Sequence, residues 1–453
     1  MKKTMRKLLF VTLIIALSCC GGCEQAGISK VPAPPQVPAV TPTKAPSPPQ
    51  VPIPTQAPAE AAKVPAPTPV YANITKGPVL LRAYQHSAAV MWESDSNRPQ
   101  QLHYGTDNSS EQVVVSTPEK VEYGLNKQAF IYKIWLENLQ PGQAYNYSIP
   151  ASAPGNKTYY FRTIPADTNE VTFVVYGDTR TNPEEHKRIV EQIIKKNPDF
   201  VIHTGDLVTN GNNYEQWGKQ FFEPVKGLAE NTAIYITKGN HEGKNGNFEK
   251  LLIPQGEKKN FGFQFGPLYY YLADNCSEDL SNKELLNRIV ENIHSAKAKW
   301  KFVSFHTPAL NFSGHNSKWC YPNALPLFAK AGADFVISGH SHIYERFKPV
   351  APPIHSGAHL VTYITAGGGG APLAKKPKSS NFYAAADSIL HFCLFKIKGD
   401  RLIMDTIDIN GNVIDQLEIS KPDGKLNEKY RQTSVPMAEV LAEQRVRKES
   451  MMQ

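Results

Sequence analysis

The sequence predicts an α/β layered domain with two β-sheets flanked by helices, preceded by a small all-β sandwich. Between residues 71 and 165, short alternating runs of polar and apolar residues are separated by turn residues and lack helical periodicity, which is typical of a sandwich. From residue 168 the pattern becomes strand, helix, strand, which favours an α/β domain. Strand-like runs beyond Ser388 are joined by the hairpin signals Gly399-Asp400 and Asn410-Gly411-Asn412, and we expect them to complete a second sheet of this domain, which covers residues 168–420.

Residues 1–23 are predicted to be an export signal that resembles the bacterial lipoprotein type. Basic residues precede an apolar run, 8–17, that is too short to span a bilayer comfortably. Cys19 is the predicted acylation site, with Cys20 and Cys23 as alternatives, and an ordinary cleaved signal is the other interpretation. We expect an exported protein, anchored by lipid to a membrane of the bacterial envelope at its periplasmic or extracellular face.

Residues 24–70 are predicted to be a Pro-rich disordered linker. Most of the excess among the 36 prolines lies in this stretch, and such a composition favours extended polyproline II segments that act as a stiff tether. The formal net charge of +8 includes four basic residues before Cys19 and no acidic ones, so the rest of the chain carries 8 − 4 = +4. This small excess does not favour nucleic acid as a partner.

The segment 71–165 has two features of a fibronectin type III-like domain. The run Leu139–Tyr145 resembles the tyrosine corner of that domain, and Trp92 resembles its core tryptophan. A tryptophan in a strand is most often a core residue, and no residue in this segment indicates catalysis.

Two helices of the α/β domain have recognisable starts. Asn182 followed by Pro183 predicts the first, and Ser281 with Glu284 has the spacing of a capping box and predicts the second. The buried stripe of the first helix would consist of Ile189, Val190, Ile193 and Ile194. Residues 421–453 are predicted to form a polar, solvated tail with one short helix at 438–447.

Five segments in the α/β domain end a strand-like apolar run in residues that bind metals or phosphate. They are Gly177-Asp178, Gly205-Asp206, Gly239-Asn240-His241-Glu242, His306 and Gly339-His340-Ser341-His342. Ligands gather at the carboxyl ends of strands in such domains. Oxygen ligands mixed with imidazoles suit a pair of ions such as iron, manganese or zinc, and two such ions clamp the attacking and leaving oxygens of a phosphoryl transfer. The pattern therefore predicts a two-metal phosphoesterase site.

At these residues the chain resembles the calcineurin-like metallophosphoesterases, and within them the purple acid phosphatase branch with an N-terminal fibronectin-like domain. The resemblance covers roughly residues 77–419 and is most specific at Gly239–Glu242 and Gly339–Arg346. It implies a metallophosphoesterase fold with two β-sheets.

The resemblance also implies roles for individual residues. Asp206 would bridge two ions, with Asp178 and His342 at the first and Asn240, His306 and His340 at the second. The ions would lower the pKa of a water that attacks phosphorus. His241 would donate a proton to the leaving oxygen or bind the phosphate, and Glu242 would orient its ring.

Two positions depart from the family pattern. Thr209 stands where purple acid phosphatases place the tyrosine that binds ferric iron and gives the colour, and Arg180 stands two residues after Asp178, where other branches place a histidine. The first ion would therefore be divalent and take an added water, or recruit His186 or His203. We expect His186 to be exposed and His203 to be a core residue.

Three further groups are weaker candidates. Arg180 would clamp the substrate phosphate, with an ordinary surface arginine as the alternative, and His315 lies on a loop where substrate-facing residues occur in similar enzymes. Gly367–Gly370 would form a tight turn rather than a phosphate loop. A disulfide between Cys276 and Cys320 is possible in an oxidising compartment, although separate buried cysteines are favoured.

The sequence predicts a hydrolase of small-molecule phosphate esters, of the acid phosphatase type. The same metal site would serve a phosphodiesterase acting on nucleotides or lipid head groups. A surface binding lipoprotein that has lost activity at the first metal position is an alternative from another class. The set of Asn240, His241, His306, His340 and His342 argues against that alternative, because a binding protein has no physical need for all of them.

Overall fold

The computed structural model describes residues 72–107, 111–150, 157–278, 280–315, 321–353 and 359–450. The predicted signal and linker lie outside these ranges, as does Cys320, so the export signal, the tether and the disulfide stay predictions. Among the described residues, Cys276 forms no disulfide. Within the same ranges, no helix has the length and apolar composition that a membrane span requires.

The N-terminal part is a sandwich of two four-stranded antiparallel sheets, which confirms the all-β prediction. The sheet orders are β1-β2-β6-β5 and β4-β3-β7-β8. The strands are β1 (Ile74–Ala83), β2 (Ala88–Ser94), β3 (Gln100–Gly105), β4 (Gln112–Ser116), β5 (Glu119–Glu122), β6 (Gln128–Leu136), β7 (Ala144–Ser148) and β8 (Tyr159–Arg162). Trp92 is fully buried and stacks on Tyr132 at 5.1 Å between ring centroids. The hydroxyl of Tyr145 accepts the N–H of Gln140 at 2.8 Å, the contact of a tyrosine corner.

The C-terminal part contains two larger mixed sheets, as predicted. A six-stranded sheet has the order β11-β10-β9-β20-β21-β22, and a seven-stranded sheet has the order β12-β13-β14-β15-β18-β16-β19. The strands up to β15 are β9 (Glu170–Tyr176), β10 (Phe200–His203), β11 (Ala233–Ile236), β12 (Phe261–Phe265), β13 (Leu268–Leu272), β14 (Trp300–Ser304) and β15 (Phe335–Ser338). The later strands are β16 (Tyr344–Phe347), β17 (Val350–Ala351), β18 (Thr362–Ala366), β19 (Tyr383–Asp387), β20 (His391–Lys398), β21 (Arg401–Asp408), β22 (Val413–Ser420) and β23 (Val435–Pro436).

The two sheets face each other across an aromatic core. Phe173 of β9 packs edge-on against Phe302 of β14 at 5.5 Å and stacks on Phe395 of β20 at 5.0 Å. The strands after Ser388 do not form a separate module, as expected, but they extend the six-stranded sheet that begins with β9 rather than complete a second one, because β20 pairs antiparallel with β9. Both sheets therefore share one interior, and their edges form one rim.

Helices cover the outer faces of the sheets. They are α1 (Pro183–Ile194), α2 (Tyr214–Trp217), α3 (Asn247–Leu252), α4 (Lys283–Ser295), α5 (Leu325–Ala331), α6 (Glu428–Gln432) and α7 (Met437–Ser450). In α1, Ile194 is 41% exposed, whereas His186 is fully buried; both expectations for these residues were wrong. His186 lies three and seven positions before Ile189 and Ile193 and so shares their face. The cap of α4 is Asn282, whose side chain accepts the N–H of Glu284, rather than Ser281.

The C-terminal segment packs against the α/β domain instead of forming a solvated tail. Met437 and Val440 of α7 are buried in the same hydrophobic cluster as Val336 of β15, and β23 pairs with β17. Tyr430 of α6 is buried and hydrogen-bonds Thr362. The segment is polar on average, so its composition did not predict packing. A few large apolar residues are nevertheless buried and hold it against the domain.

The sandwich is fastened to the α/β domain by buried hydrogen bonds. The N–H of Leu80 in β1 donates to the carbonyl of Ala229 at 2.7 Å, and the hydroxyl of Tyr235 in β11 donates to the carbonyl of Ala83 at 2.6 Å. The hydroxyl of Tyr147 reaches the carbonyl of Glu230 at 2.7 Å. The sandwich thus supports β11, the strand that ends just before Asn240.

Candidate metal centre

The predicted site residues meet along one rim of the two sheets. Asp178, Asp206 and Asn240 follow β9, β10 and β11, which run parallel, and His306 and His340 follow the parallel strands β14 and β15. Carboxyl ends of parallel strands lie at the same edge of a sheet, so each sheet delivers its ligands to a common side. Together with His342, six predicted ligands converge there.

Four of these residues form what we call the second metal position. The side-chain oxygen of Asn240 lies 3.0 Å from Nε2 of His306 and 2.9 Å from Nδ1 of His340. Oδ1 of Asp206 lies 3.3 Å from the same His306 nitrogen. Nδ1 of His306 donates to the carbonyl of Thr204 at 2.8 Å, so Nε2 of the neutral ring carries a lone pair. Acceptor atoms thus face one another, an arrangement that a cation stabilises, and the residues fit a metal ion.

Three residues form what we call the first metal position. Ligand atoms of Asp178, Asp206 and His342 all lie within 4.8 Å of one another, and these residues are buried. Nδ1 of His342 donates to the carbonyl of Pro372 at 2.8 Å, which leaves Nε2 unprotonated and 3.6 Å from Oδ1 of Asp178. Asp206 belongs to both positions, as expected of a bridging carboxylate.

Three of the ligand residues have left-handed backbone conformations. The φ angles are +59° at Asp178, +58° at Asp206 and +68° at His340. The N–H of His340 donates to both oxygens of Asp178 at 2.9 Å, and the N–H of His241 donates to Oδ1 of Asp206 at 3.0 Å. Such conformations cost about 1 kcal/mol or more each and persist where surrounding contacts enforce them. The loops are therefore held in place by their neighbours.

Gly239 and Gly339, which precede ligand residues, allow the backbone to lie close to the carboxylates of Asp206 and Asp178. A Cβ at Gly239 would lie 2.2 Å from Oδ1 of Asp206, and a Cβ at Gly339 would lie 2.4 Å from Oδ2 of Asp178. Any larger residue at either position would displace a ligand carboxylate. The glycine in each of these two motifs is thus a packing requirement of the site.

Glu242 does not orient the ring of His241, contrary to expectation. Its buried carboxylate accepts the backbone N–H groups of Asp206 at 2.9 Å, Leu207 at 2.8 Å and Gly239 at 2.6 Å. The partner of the His241 ring is the carbonyl of Thr209, 2.7 Å from Nδ1. Nε2 of His241 lies 3.8 Å from Oδ2 of Asp206, and the side chain is 30% exposed, so this nitrogen faces the cleft.

The two substrate-facing candidates lie in different surroundings. The ring of His315 is exposed and 4.5 Å from that of His342, centroid to centroid. Arg180 is 14% exposed, and its guanidinium contacts Asp206 and His342 rather than open solvent. His315 thus lies beside His342 at the surface, whereas the guanidinium of Arg180 contacts two residues of the first metal position.

Neither His186 nor His203 is available as a replacement ligand. The ring of His186 contacts the hydroxyl of Tyr176 at 3.1 Å and the carbonyl of Gln220 at 3.2 Å. His203 is buried as expected and contacts the hydroxyl of Thr179 at 3.1 Å. Both ring nitrogens of each histidine are therefore directed away from the ligand atoms, since Nδ1 of His203 accepts the N–H of Gly205.

Several residues that position the site could not be found by sequence reasoning. The carbonyls of Thr204, Thr209 and Pro372 orient three imidazoles, and a carbonyl has no residue-type signal. Glu345 is fully buried and accepts from Asn311, Phe312 and Tyr383, which ties the loop carrying His315 to the strand after His342. The only sequence signal for Glu345 was its place in the run Tyr344-Glu345-Arg346.

Gly367–Gly370 packs under the Asp178 loop. The N–H of Gly369 donates to the carbonyl of Gly177 at 2.8 Å, and the N–H of Ala371 donates to that of Asp178 at 2.8 Å. The run thus supports a ligand loop through backbone contacts. Within the run, the N–H groups of Gly367 and Gly369 are already used, since that of Gly367 donates to the carbonyl of Ile343 at 3.3 Å.

Burial controls protonation across the centre. It lowers the pKa of His340 to about 3 and that of His342 to about 4, which keeps both imidazoles neutral at ordinary pH. Burial and then the charge of Asp206 raise the pKa of Asp178 well above its usual value. Burial also acts to raise the pKa of Asp206, but the neighbouring His306 and His241 outweigh it and the net shift is downward. The bridging carboxylate is thus the stable anion of the pair.

Comparison with known proteins agrees with this geometry. Residues 171–344 match the calcineurin-like phosphoesterase family, and residues 67–163 match the purple acid phosphatase N-terminal domain. Purple acid phosphatase 21 of Arabidopsis thaliana is 25% identical over 334 residues, which are 62% of this chain and 75% of that protein. Probable inactive purple acid phosphatase 1 of the same plant is 23% identical over 318 residues, 56% of this chain and about half (51%) of that protein.

A solved structure gives the same fold. The purple acid phosphatase isolated from yellow lupin seeds superposes with a TM-score of 0.63 at 18% identity, covering 76% of this chain and 74% of that one. The sequence matches show that the chain contains a calcineurin-like phosphoesterase domain at residues 171–344, preceded by a purple acid phosphatase N-terminal domain at residues 67–163. Its family and fold are those of phosphoric ester hydrolases, and the family implies a centre of two metal ions.

Proposed function

We propose that this chain hydrolyses phosphate monoesters of small molecules at the metal centre. The observation that carries the proposal is the convergence of six ligand side chains whose lone pairs face one another, with a shared carboxylate at Asp206. When bound, two ions would supply Lewis-acid activation of a water and neutralise charge on the phosphoryl oxygens.

The residues of the chain would bind and orient the reactants. His241 is fixed through Nδ1, so Nε2 is free to hydrogen-bond the phosphate or, when protonated, to donate a proton to the leaving oxygen. His315, beside His342, would contact the phosphate from another side. Asp206 and the neutral imidazoles of His306 and His342 hold their lone pairs toward the centre. The burial of these ligands limits the access of bulk water.

A monoester is preferred because the similar proteins of this type carry acid phosphatase names. The test is to incubate the metal-loaded protein with para-nitrophenyl phosphate and with its bis ester. Faster hydrolysis of the monoester supports the proposal, whereas preference for the bis ester supports a phosphodiesterase. Lack of hydrolysis of both, in protein shown to contain metal, supports a binding protein. Asp206→Asn serves as the inactive control.

We further propose that the protein is exported and held on the bacterial envelope by a lipid at Cys19. The support is the order of basic residues, apolar run and cysteine at the N-terminus. Mass spectrometry of the protein extracted from membranes would detect an acylated N-terminal cysteine. Release of wild-type protein into the soluble fraction with an unmodified N-terminus would contradict the lipid anchor but not export.

A further inference from the structure

Arg180 lies inside the first metal position. Its Nε is 3.4 Å from Oδ2 of Asp206, and one of its terminal nitrogens is 3.4 Å from Nε2 of His342. Asp206 and His342 are two of the three residues that form the first metal position. The guanidinium is therefore directed at lone pairs that belong to the metal site.

The backbone and neighbours of Arg180 hold it in this direction. Its N–H donates to the carbonyl of Asp206 at 3.1 Å, and a terminal guanidinium nitrogen donates to the hydroxyl of Thr181 at 3.3 Å. That hydroxyl contacts Thr209 at 3.2 Å, and the Thr209 hydroxyl reaches Gln220 at 3.1 Å. A chain of polar contacts thus fills the space beside the first position.

The buried Nε of Arg180 has no hydrogen-bond partner of good geometry. A guanidinium with an unsatisfied, buried N–H is costly unless an anion is close. Asp206 and the pocket of acceptors supply that anionic surrounding. The arrangement is therefore electrostatically stable when no ion occupies the first position.

The second metal position differs from the first in the charge that surrounds it. Its ligand atoms on Asn240, His306 and His340 lie within 2.9–3.3 Å of one another, whereas the guanidinium of Arg180 contacts the shared Asp206 and His342 of the first position. A divalent ion at the first position would be repelled by a guanidinium a few ångströms away, in a setting where water screens poorly. Among the described residues, the guanidinium contacts of Arg180 given above do not include Asn240, His306 or His340, which would hold an ion at the second position.

We propose that Arg180 makes the two metal positions unequal, so that the chain binds one divalent ion tightly at the second position and another weakly at the first. The guanidinium supplies positive charge at the first position and must move aside before an ion enters. This inference concerns binding by the metal centre on which the proposed function rests, but its test does not depend on activity.

The experiment is equilibrium dialysis of the full chain against a series of free Mn²⁺ concentrations, with metal per protein measured by elemental analysis. The wild type is expected to bind one equivalent at low concentration and a second at roughly 100-fold higher concentration. Arg180→Gln, which keeps a polar side chain without the charge, should tighten the second equivalent at least about tenfold. Arg188→Gln on the exposed face of α1 is the matched control and should reproduce the wild-type curve.

Further variants assign each equivalent to its position. His342→Ala should remove only the weak equivalent, and Asn240→Ala should weaken the tight one. Circular dichroism must show folded protein for each. Two equivalents of equal affinity in the wild type, or an unchanged second equivalent in Arg180→Gln, would overturn the inference. Inactive protein with unequal binding would refute the proposed function alone, and active protein with equal binding would refute this inference alone.

Discussion

The carboxylate of Glu242 accepts the backbone N–H of Asp206 at 2.9 Å, which ties the loop after β11 to the loop after β10. The same carboxylate accepts from Leu207 and Gly239. Both of its oxygens thus receive N–H donors, and the two loops that carry the bridging and amide ligands form one unit. Burial, together with the charge of Asp206, raises the pKa of Glu242 to about 8, and the three backbone N–H donors act against this rise.

Glu242→Gln is expected to destabilise the protein rather than act on proton transfer. The new amide N–H₂ would face backbone N–H donors, and a buried donor left without an acceptor costs about 1–3 kcal/mol. We expect a lower melting temperature together with weaker metal retention, measured by thermal denaturation and elemental analysis. Exposed Glu291→Gln is the control. A variant with wild-type stability and reduced turnover only would restore the view that Glu242 orients His241.

His241→Ala should lower turnover about 10²–10⁴-fold while the metal content stays unchanged. The imidazole is held by the carbonyl of Thr209 rather than by a ligand contact of its own, so its removal leaves the six ligand side chains in place. If it protonates the leaving oxygen, the loss should be larger for an alkyl phosphate than for para-nitrophenyl phosphate, which has a better leaving group. Equal losses on both substrates would indicate phosphate binding instead.

Metal removal should destabilise the α/β domain. Without an ion, the lone pairs of His306 and Asp206 face each other at 3.3 Å. An ion that binds only the folded state raises the melting temperature by mass action, and we expect a rise of at least about 3 °C on adding Zn²⁺ or Mn²⁺ to chelator-treated protein. His306→Ala should abolish most of the rise, whereas His103→Ala in the sandwich should retain it. A melting temperature indifferent to chelator and metal would contradict ion binding.

Stability should fall in acid because of His391. Burial lowers its pKa to about 4, compared with an unfolded value of about 6.5. Between these values the unfolded state binds more protons, so stability is unaffected above about pH 6.5 and is lost as the pH falls toward about 4, by about 3 kcal/mol at most. Thermal denaturation across this range measures the slope. His391→Asn, which keeps a donor near Nδ1, should flatten it, and exposed His294→Asn should not.

The iron-loaded protein should lack the visible charge-transfer band of purple acid phosphatases. Thr209 stands at the position of the coloured enzymes' tyrosine, and its hydroxyl contacts Thr181 and Gln220. Absorbance spectroscopy on protein of known iron content checks this. A purple sample would show that another residue supplies the phenolate.

Local patterns were sufficient to predict much of the fold and the site. Hydrophobic alternation and turn residues predicted the sandwich, and apolar runs ending in Asp206, Asn240 or His340 predicted which side chains would meet, because parallel strands end at one edge. Local sequence patterns did not predict features that depend on a few contacts between distant parts of the chain. The C-terminal segment packs through Met437 and Val440 despite its polar composition.

Taken alone, the sequence determined the two-domain organisation and the order of the ligand motifs, because strand periodicity and residue chemistry are local properties. Only the tertiary structure decided which nitrogen of each imidazole faces the centre, that Glu242 fastens loops, and that Arg180 enters the first metal position. Those features depend on contacts such as that of Arg180 with His342, 162 residues apart. Their geometry is set by how the two sheets pack, which no local pattern specifies.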